Sequence, residues 1–146
     1  MIKFSTFLTY AGALPFLGCA LLLTIDINQF QPFGSVQESL NTYSLLISSF
    51  MSGSHWGQNL HVQKAWKKYL QITSILIALA IWFSYMTLDF HQMIVVYILS
   101  FLALLGVDYR LRRVGLNSRE YFQTRFWVSG LVIASLIISG IVSGTN

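Results

Sequence analysis

Charged side chains are scarce in this sequence, and their scarcity excludes an ordinary water-soluble domain. Asp, Glu, Lys and Arg make up 10% of the 146 residues, whereas soluble domains carry roughly 25%. Hydrophobic residues make up 55%. A soluble fold of roughly 150 residues buries only about 70% of the surface of its unfolded chain, too little to cover so many apolar side chains. The composition therefore indicates a membrane protein.

Residues that commonly form disulfides, bind metals or transfer protons are also few. The single cysteine, Cys19, excludes an internal disulfide. The three histidines are not expected to form a metal site, because an apolar stretch separates His91 from the other two, and His55 and His61 point to different faces of a helix. No Asp or Glu lies in the middle of an apolar stretch, where proton-coupled transporters often place one. We therefore expect no enzymatic activity, no metal and no cofactor.

Five apolar stretches are long enough to cross the roughly 30 Å hydrocarbon core of a bilayer. They take up most of the chain, and the second is the least apolar because it contains several serines. We therefore predict an all-α fold in which residues 1–146 form a single transmembrane domain, a bundle of about five transmembrane helices. The predicted spans are residues 4–25, 40–60, 69–88, 92–108 and 122–142.

The basic residues predict the orientation of this bundle. Five spans place all nine Lys and Arg residues on one side, whereas the other side carries Asp26, Glu38 and Asp89 and no basic residue. The positive-inside rule then places the N-terminus in the cytoplasm. Omitting the second span would separate Lys3 from the other basic residues, so the charge pattern supports that span. The nine residues are Lys3, Lys64, Lys67, Lys68, Arg110, Arg112, Arg113, Arg119 and Arg125.

The basic clusters at 64–68 and 110–113 adjoin the predicted ends of spans. Clusters in that position attract anionic lipid headgroups, by about 1 kcal/mol for each basic residue near the surface. We therefore expect membrane lipids, with anionic headgroups at the cytoplasmic face, as partners. Nucleic acid is not expected as a partner.

The second span carries its polar residues on one face. Asn41, Ser44, Ser48, Ser52, His55 and Asn59 recur at intervals of three or four residues, the period of a helix. A separate line of small residues, Ser49, Gly53 and Gly57, permits close approach of another helix. We expect this helix to lie inside the bundle with little lipid contact. Its serines either hydrogen-bond to backbone groups or line a polar track that leads from His55.

The fourth and fifth spans are predicted to form a tight hairpin, because Gly115 suits the C-terminal cap of a helix. If the turn centres on Leu116, antiparallel packing brings Asp108 level with about Thr124 or Arg125. We therefore predict an ion pair between Asp108 and Arg125. Another basic residue, Arg112, is a competing partner because it lies one helical turn after Asp108.

His55 is the only ionisable residue clearly inside a predicted span, and ionisable residues inside membranes are often functional. Its position in the second span places it about one helical turn from the predicted ion pair. We expect His55 in the bundle interior, where its ring bonds either to Asp108 or to a backbone carbonyl. The candidate functional cluster comprises His55, Trp56, Asp108, Arg125, Ser48 and Ser52.

Several short motifs give the chain a family resemblance. They are Pro15-Phe16 in the first span, Ser49-Phe50, Gly53 and His55-Trp56-Gly57 in the second, Asp108 in the fourth, and Tyr121 with Arg125 in the fifth. With these motifs the chain resembles a bacterial domain-of-unknown-function family that is similar to the mitochondrial transmembrane protein sixty-nine. The resemblance implies a small multi-pass protein of the bacterial inner membrane, but it implies no activity.

Three functions are compatible with these features. The favoured one is a non-enzymatic protein that supports the integrity of the cell envelope through lipid or protein contacts. The first alternative is a small oligomeric transporter or channel that uses the polar face of the second helix. The second alternative is an enzyme that acts on a lipid headgroup with His55 and Asp108.

Small residues in the fifth span also predict self-association. Gly130 with Ala134, and Gly140 with Gly144, recur at four-residue spacing, which lets helix backbones approach closely in a membrane. A chain this short also has few internal partners for each helix. We therefore predict a homodimer, with the fifth or first helix as its interface.

Overall fold

Six α-helices run through the part of the chain that the computed structural model describes, which comprises residues 4–30, 34–58, 60, 62–116 and 118–144. A short antiparallel hairpin, β1 (Gln29–Phe30) with β2 (Gly34–Ser35), connects the second helix to the third. The all-α prediction is therefore confirmed. The helices are α1 (Phe4–Ala11), α2 (Leu14–Thr24), α3 (Val36–Gln58), α4 (Lys64–Thr87), α5 (Phe90–Arg113) and α6 (Arg119–Gly144).

Four helical segments among the described residues are long and apolar enough to cross a membrane, and they indicate a multi-pass membrane protein. They are Thr6–Thr24, Lys64–Thr87, Phe90–Arg113 and Arg119–Ser143. The stretch missing from this set is α3, which the sequence also marks as the least apolar span. Its 23 residues extend for about 34 Å at 1.5 Å per residue, so α3 has the length of a span but not the hydropathy.

The first predicted span is not one continuous helix, because it breaks into α1 and α2 at Gly12 and Ala13. The break has a local cause. Pro15 lies at the start of α2 and has no N–H to offer to the preceding turn. A contact from another helix stabilises the break, since the Tyr43 hydroxyl donates a 2.8 Å hydrogen bond to the Gly12 carbonyl.

The core lies where α2, α3, α5 and α6 pack together. At its centre the fully buried Phe16 ring makes edge contacts with Tyr43 at 5.0 Å and with Phe101 at 6.0 Å between ring centroids. Near the start of α3, the buried Tyr97 phenol donates to the Asn41 side-chain oxygen at 2.6 Å. These contacts join α2, α3 and α5 by both apolar and polar groups.

The expectation that α3 has little contact with lipid is wrong. Ser44, Ser48, Ser52 and His55 are buried, but Leu46 is 62% exposed and Phe50 is 72% exposed on the opposite face. Gly53 and Gly57, part of the predicted line of small residues, are also exposed. The helices α2, α4 and α5 pack against α3, and together they leave the face with Leu46 and Phe50 uncovered.

The order of the helices leads to a topological prediction. A reporter that is active only in the periplasm should be active when fused after Asn146 and silent when fused after Arg113. The reason is the positive-inside rule, since the described basic residues lie at the start of α4, the end of α5 and the start of α6. Matched expression of the two fusions is the control. The reverse pattern, or activity at both positions, would contradict a five-helix arrangement.

Candidate functional site

The turn between α5 and α6 sets the position of the candidate site. Gly115 has φ = 83°, a left-handed conformation that glycine adopts without strain. The Gly115 N–H donates to Arg112 O at 3.1 Å, and the Leu116 N–H donates to Leu111 O at 2.9 Å, the two bonds of a Schellman motif. Ser118 then caps α6, because its hydroxyl accepts from the Tyr121 N–H at 3.1 Å. The tight turn confirms the predicted hairpin.

The hairpin brings the predicted ion pair together. Arg125 Nε donates to Asp108 Oδ2 at 3.1 Å, so the pair is confirmed. Nη2 of the same guanidinium also lies 3.1 Å from Oδ2, but its geometry is not that of a hydrogen bond. The Asp108 side chain is fully buried and that of Arg125 is 11% exposed. Asp108 takes Arg125 rather than Arg112 as its cationic partner.

His55 completes the site from a third helix. Its Nε2 lies 2.8 Å from Asp108 Oδ1, and its side chain is 1% exposed. Of the two expected partners for this ring, Asp108 is therefore the one present. Because the carboxylate can only accept, Nε2 carries a proton and donates it. The other ring nitrogen, Nδ1, has no hydrogen-bond partner among the described residues.

The resulting cluster of His55, Asp108 and Arg125 joins the end of α3, the end of α5 and the start of α6. Such a buried carboxylate is tolerable only because both of its oxygens accept hydrogen bonds and a cation compensates its charge. Asp108, which is itself held by His55, thus fixes the orientation of the Arg125 guanidinium.

The other members of the predicted cluster lie apart from this triad. Ser48 is buried and donates to Ser44 O at 2.7 Å, whereas Ser52 is buried and donates to Ser74 O of α4 at 2.5 Å. These bonds agree with the first of the two expectations for the polar face, in which its serines hydrogen-bond to backbone groups rather than line a polar track. Trp56 is 43% exposed and lies beside a shallow groove between α3 and α4.

Residues 1–141, which include the whole triad, match a family described as "Protein of unknown function (DUF3429)". The chain belongs to this family. No curated protein and no solved structure shows significant similarity to it. The expected membership of a domain-of-unknown-function family is confirmed, and membership of DUF3429 carries no assigned activity.

A cavity that the sequence did not predict adjoins the triad of this DUF3429 chain. It has a volume of about 300 Å³ and is bounded by residues of α1, α2, α3, α5 and α6, most of them apolar. Phe16 and Val132 lie in its walls, and Arg125 is its one charged lining residue. Leu8 and Phe50, which also line it, are 52% and 72% exposed, so the cavity is open on the outer face of the bundle. We call it the apolar cavity.

A second space, the polar cavity, has a volume of about 200 Å³ and lies between α1 and the start of α6. Thr9 and Arg125 line both cavities, which are therefore adjacent. Each of its lining residues carries a hydroxyl group or a charge; besides Thr9 and Arg125 they are Thr6, Ser118, Glu120, Tyr121 and Thr124. The sequence contains a pattern that relates to this cavity. Thr6 and Thr9 lie on one face of their helix, and so do Tyr121 and Thr124, because each pair is spaced by three residues.

Proposed function

We propose that this DUF3429 chain is a non-enzymatic protein of the bacterial inner membrane that supports the integrity of the cell envelope through contacts with lipids or other proteins. The observation that carries the proposal is the pair of adjacent cavities at Arg125. One is apolar and open on the outer face of the bundle, and the other is polar and lies at the end that carries the basic residues. This arrangement matches the change from acyl chain to headgroup in a lipid.

Charge and the family resemblance support the proposed location in the bacterial inner membrane. Basic residues at one end of the bundle favour a cytoplasmic face and attract anionic headgroups there, by about 1 kcal/mol for each residue near the surface. Arg110 and Arg113 belong to this group, and their guanidinium groups lie over the rings of Tyr69 and Tyr109, respectively, at 5.7 and 5.9 Å. Tyrosines in this position are typical of a membrane interface.

The two alternatives have weaker support. A transporter along the polar face of α3 needs free hydroxyl groups on a hydrated path, but Ser44 and Ser48 each donate to the carbonyl four residues earlier in α3. An enzyme needs a reactive group within reach of its substrate, but the His55 and Asp108 side chains are 1% and 0% exposed. Contacts with lipid require neither condition.

A deletion strain tests the proposed function. Loss of the gene should increase killing by detergent and uptake of a large dye while the membrane potential stays normal, and the wild-type chain should restore the barrier. Lipid composition is measured in the same strains, because a shift would indicate which lipid depends on the protein. A collapsed potential with normal resistance to detergent would contradict the proposal and favour the transporter. An intact barrier with a normal potential would also contradict it.

We also propose that the protein acts as a homodimer with α6 as the main interface. Gly130 and Ala134 of α6 are exposed, and a Cβ atom added at Gly130 would have no neighbour within 4 Å. Small exposed residues at this spacing permit the close approach of a second helix.

A further inference from the structure

We infer that the apolar cavity binds the ring of a neutral, lipid-soluble molecule with a carbonyl oxygen, the chemistry of a membrane quinone, and that the Ser129 hydroxyl donates to that oxygen. This inference goes beyond the proposed function, because it names a class of ligand and the side chain that recognises it. Arg125, the charged residue of the lining, is already held by Asp108 through Nε at 3.1 Å, and its Nη2 is enclosed. The ligand is therefore expected to be uncharged.

Ser129 is the polar group that is available to a ligand. It lines the apolar cavity and is 3% exposed, yet its hydroxyl makes no hydrogen bond to a described residue. The Ser143 hydroxyl oxygen is also unpaired but is enclosed by protein, whereas the Ser129 oxygen is not.

Ser129 differs in this respect from the other buried serines. A hydroxyl inside a membrane protein has no bulk water to bond, and leaving it unpaired costs free energy. The other buried serines of the described residues meet this need by donating to backbone carbonyls. They are Ser44, Ser48, Ser52, Ser74, Ser100, Ser135 and Ser139. An exception in the wall of a cavity indicates that the partner of Ser129 is a molecule inside the cavity.

The depth of Ser129 argues against an ordinary phospholipid as that partner. From Arg119, the basic first residue of α6, to Ser129 the helix advances by about 15 Å at 1.5 Å per residue. This distance is about half of the roughly 30 Å hydrocarbon core. The ester oxygens of a phospholipid stay beside its headgroup at the membrane interface. The oxygen that accepts from Ser129 must therefore belong to a molecule that carries it into the hydrocarbon.

The walls of the cavity favour a ring over a saturated chain. Phe16, Phe50 and Phe101 all line it, and aromatic rings pack well edge to face against another ring. A saturated chain would gain little by leaving the bilayer, because lipid tails are equally apolar. A ring with a carbonyl gains both the aromatic contacts and the bond to Ser129.

The size and the opening of the cavity suit such a ligand. Its volume of about 300 Å³ lies at the lower end of the range for small-molecule sites, roughly 300–1,000 Å³. Leu8 and Phe50 lie at its exposed edge. A ring can therefore enter from the bilayer without crossing water, and an apolar tail attached to it can remain among the lipid chains.

Equilibrium dialysis of the full chain in mild detergent, with binding to empty micelles subtracted, tests this site with dimethylnaphthoquinone and dimethylnaphthalene. The two compounds share a ring system, but only the quinone has carbonyl oxygens. The wild type should bind the quinone about threefold more tightly or better, the effect of one average hydrogen bond inside a membrane bundle. Ser129→Ala should lose this preference and still fold, because its hydroxyl has no partner to lose among the described residues.

Ser135→Ala is the matched control, since Ser135 is buried on the same helix but donates to Leu131 O at 2.8 Å and lies outside the cavity. It should keep the preference for the quinone. A preference that survives in Ser129→Ala, or equal binding of the two compounds by the wild type, would overturn the role of Ser129.

A second pair of variants tests whether the quinone lies in the cavity. Val128→Phe should reduce its binding about tenfold or more, because Val128 lines the cavity, whereas Val95→Phe should not, since Val95 is 56% exposed on α5 and lies outside it. Equal binding by these two variants would place the quinone on the outer surface and overturn the inference. If the wild type binds neither compound while the deletion strain loses its barrier, this inference fails and the proposed function stands. If the quinone binds as expected but the barrier is intact without the gene, the proposed function fails and the binding site stands.

Discussion

Replacing Asp108 with Asn is expected to lower the free energy of unfolding by about 3–5 kcal/mol, the usual cost of removing one partner from a buried ion pair. The amide is nearly the same size as the carboxylate, so the loss is electrostatic. Arg125, whose side chain is 11% exposed, would keep its charge without compensation. His55 Nε2 would also lose the carboxylate that accepts its proton at 2.8 Å. Thermal unfolding in detergent, with a probe of tertiary structure, measures the effect.

Asp89→Asn is the matched control for this change. Asp89 caps α5 by accepting a 3.0 Å hydrogen bond from the Gln92 N–H, and asparagine is an equally good cap. Its loss should stay within about 0.5 kcal/mol, as for most surface substitutions. The double variant Asp108→Asn with Arg125→Met should recover much of the lost stability, because it removes the uncompensated charge as well. The electrostatic account is wrong if Asp108→Asn unfolds at the same temperature as Asp89→Asn.

Replacing Gly130 with Leu is expected to convert the proposed homodimer into a monomer, with a loss of affinity of about tenfold or more, or ~1.4 kcal/mol. Leucine would separate the two α6 backbones and remove the packing contacts that small residues permit. The fold itself should be unaffected, since an added Cβ atom at Gly130 has open space around it. Cross-linking in native membranes, at matched expression, measures the fraction of dimer.

Another exposed glycine, Gly53, provides the reference for this experiment. Gly53→Leu is the matched control, because Gly53 is also exposed and has open space around it but lies on α3. Gly140 is unsuitable, because an added Cβ atom would lie 3.5 Å from Ile94 side-chain atoms. A dimer that persists in Gly130→Leu but is lost in Gly53→Leu would move the interface to α3. Only monomer in the wild type would contradict the homodimer altogether.

Much of the fold and part of the site can be predicted from the sequence because both depend on short-range features. Apolar content identifies α4, α5 and α6, and the positive φ of a single glycine, Gly115, makes the turn that sets Asp108 opposite Arg125. The short connection leaves little freedom in the relative position of these two helices. The ion pair therefore follows from the spacing along the chain.

The cavities could not be predicted in this way, because their walls come from helices that are distant in sequence. Leu8, Phe50 and Val128 line the same space, yet no local pattern relates them. The break at Pro15 changes the path of the first span beside that space, and the sequence predicted a continuous helix there. How much of α3 is covered also depends on the number of neighbouring helices, which the residues of α3 do not reveal.

The break between α1 and α2 has a consequence for biogenesis. The Gly12 carbonyl accepts a hydrogen bond from Tyr43, which the ribosome adds 31 residues later. Lipid offers no donor in its place, so the kinked form of the first span gains this stabilising contact only after α3 has emerged. Residues Thr6–Thr24 are long and apolar enough to cross a membrane without that contact. We therefore expect insertion of the first span to precede completion of its final shape during synthesis of the chain.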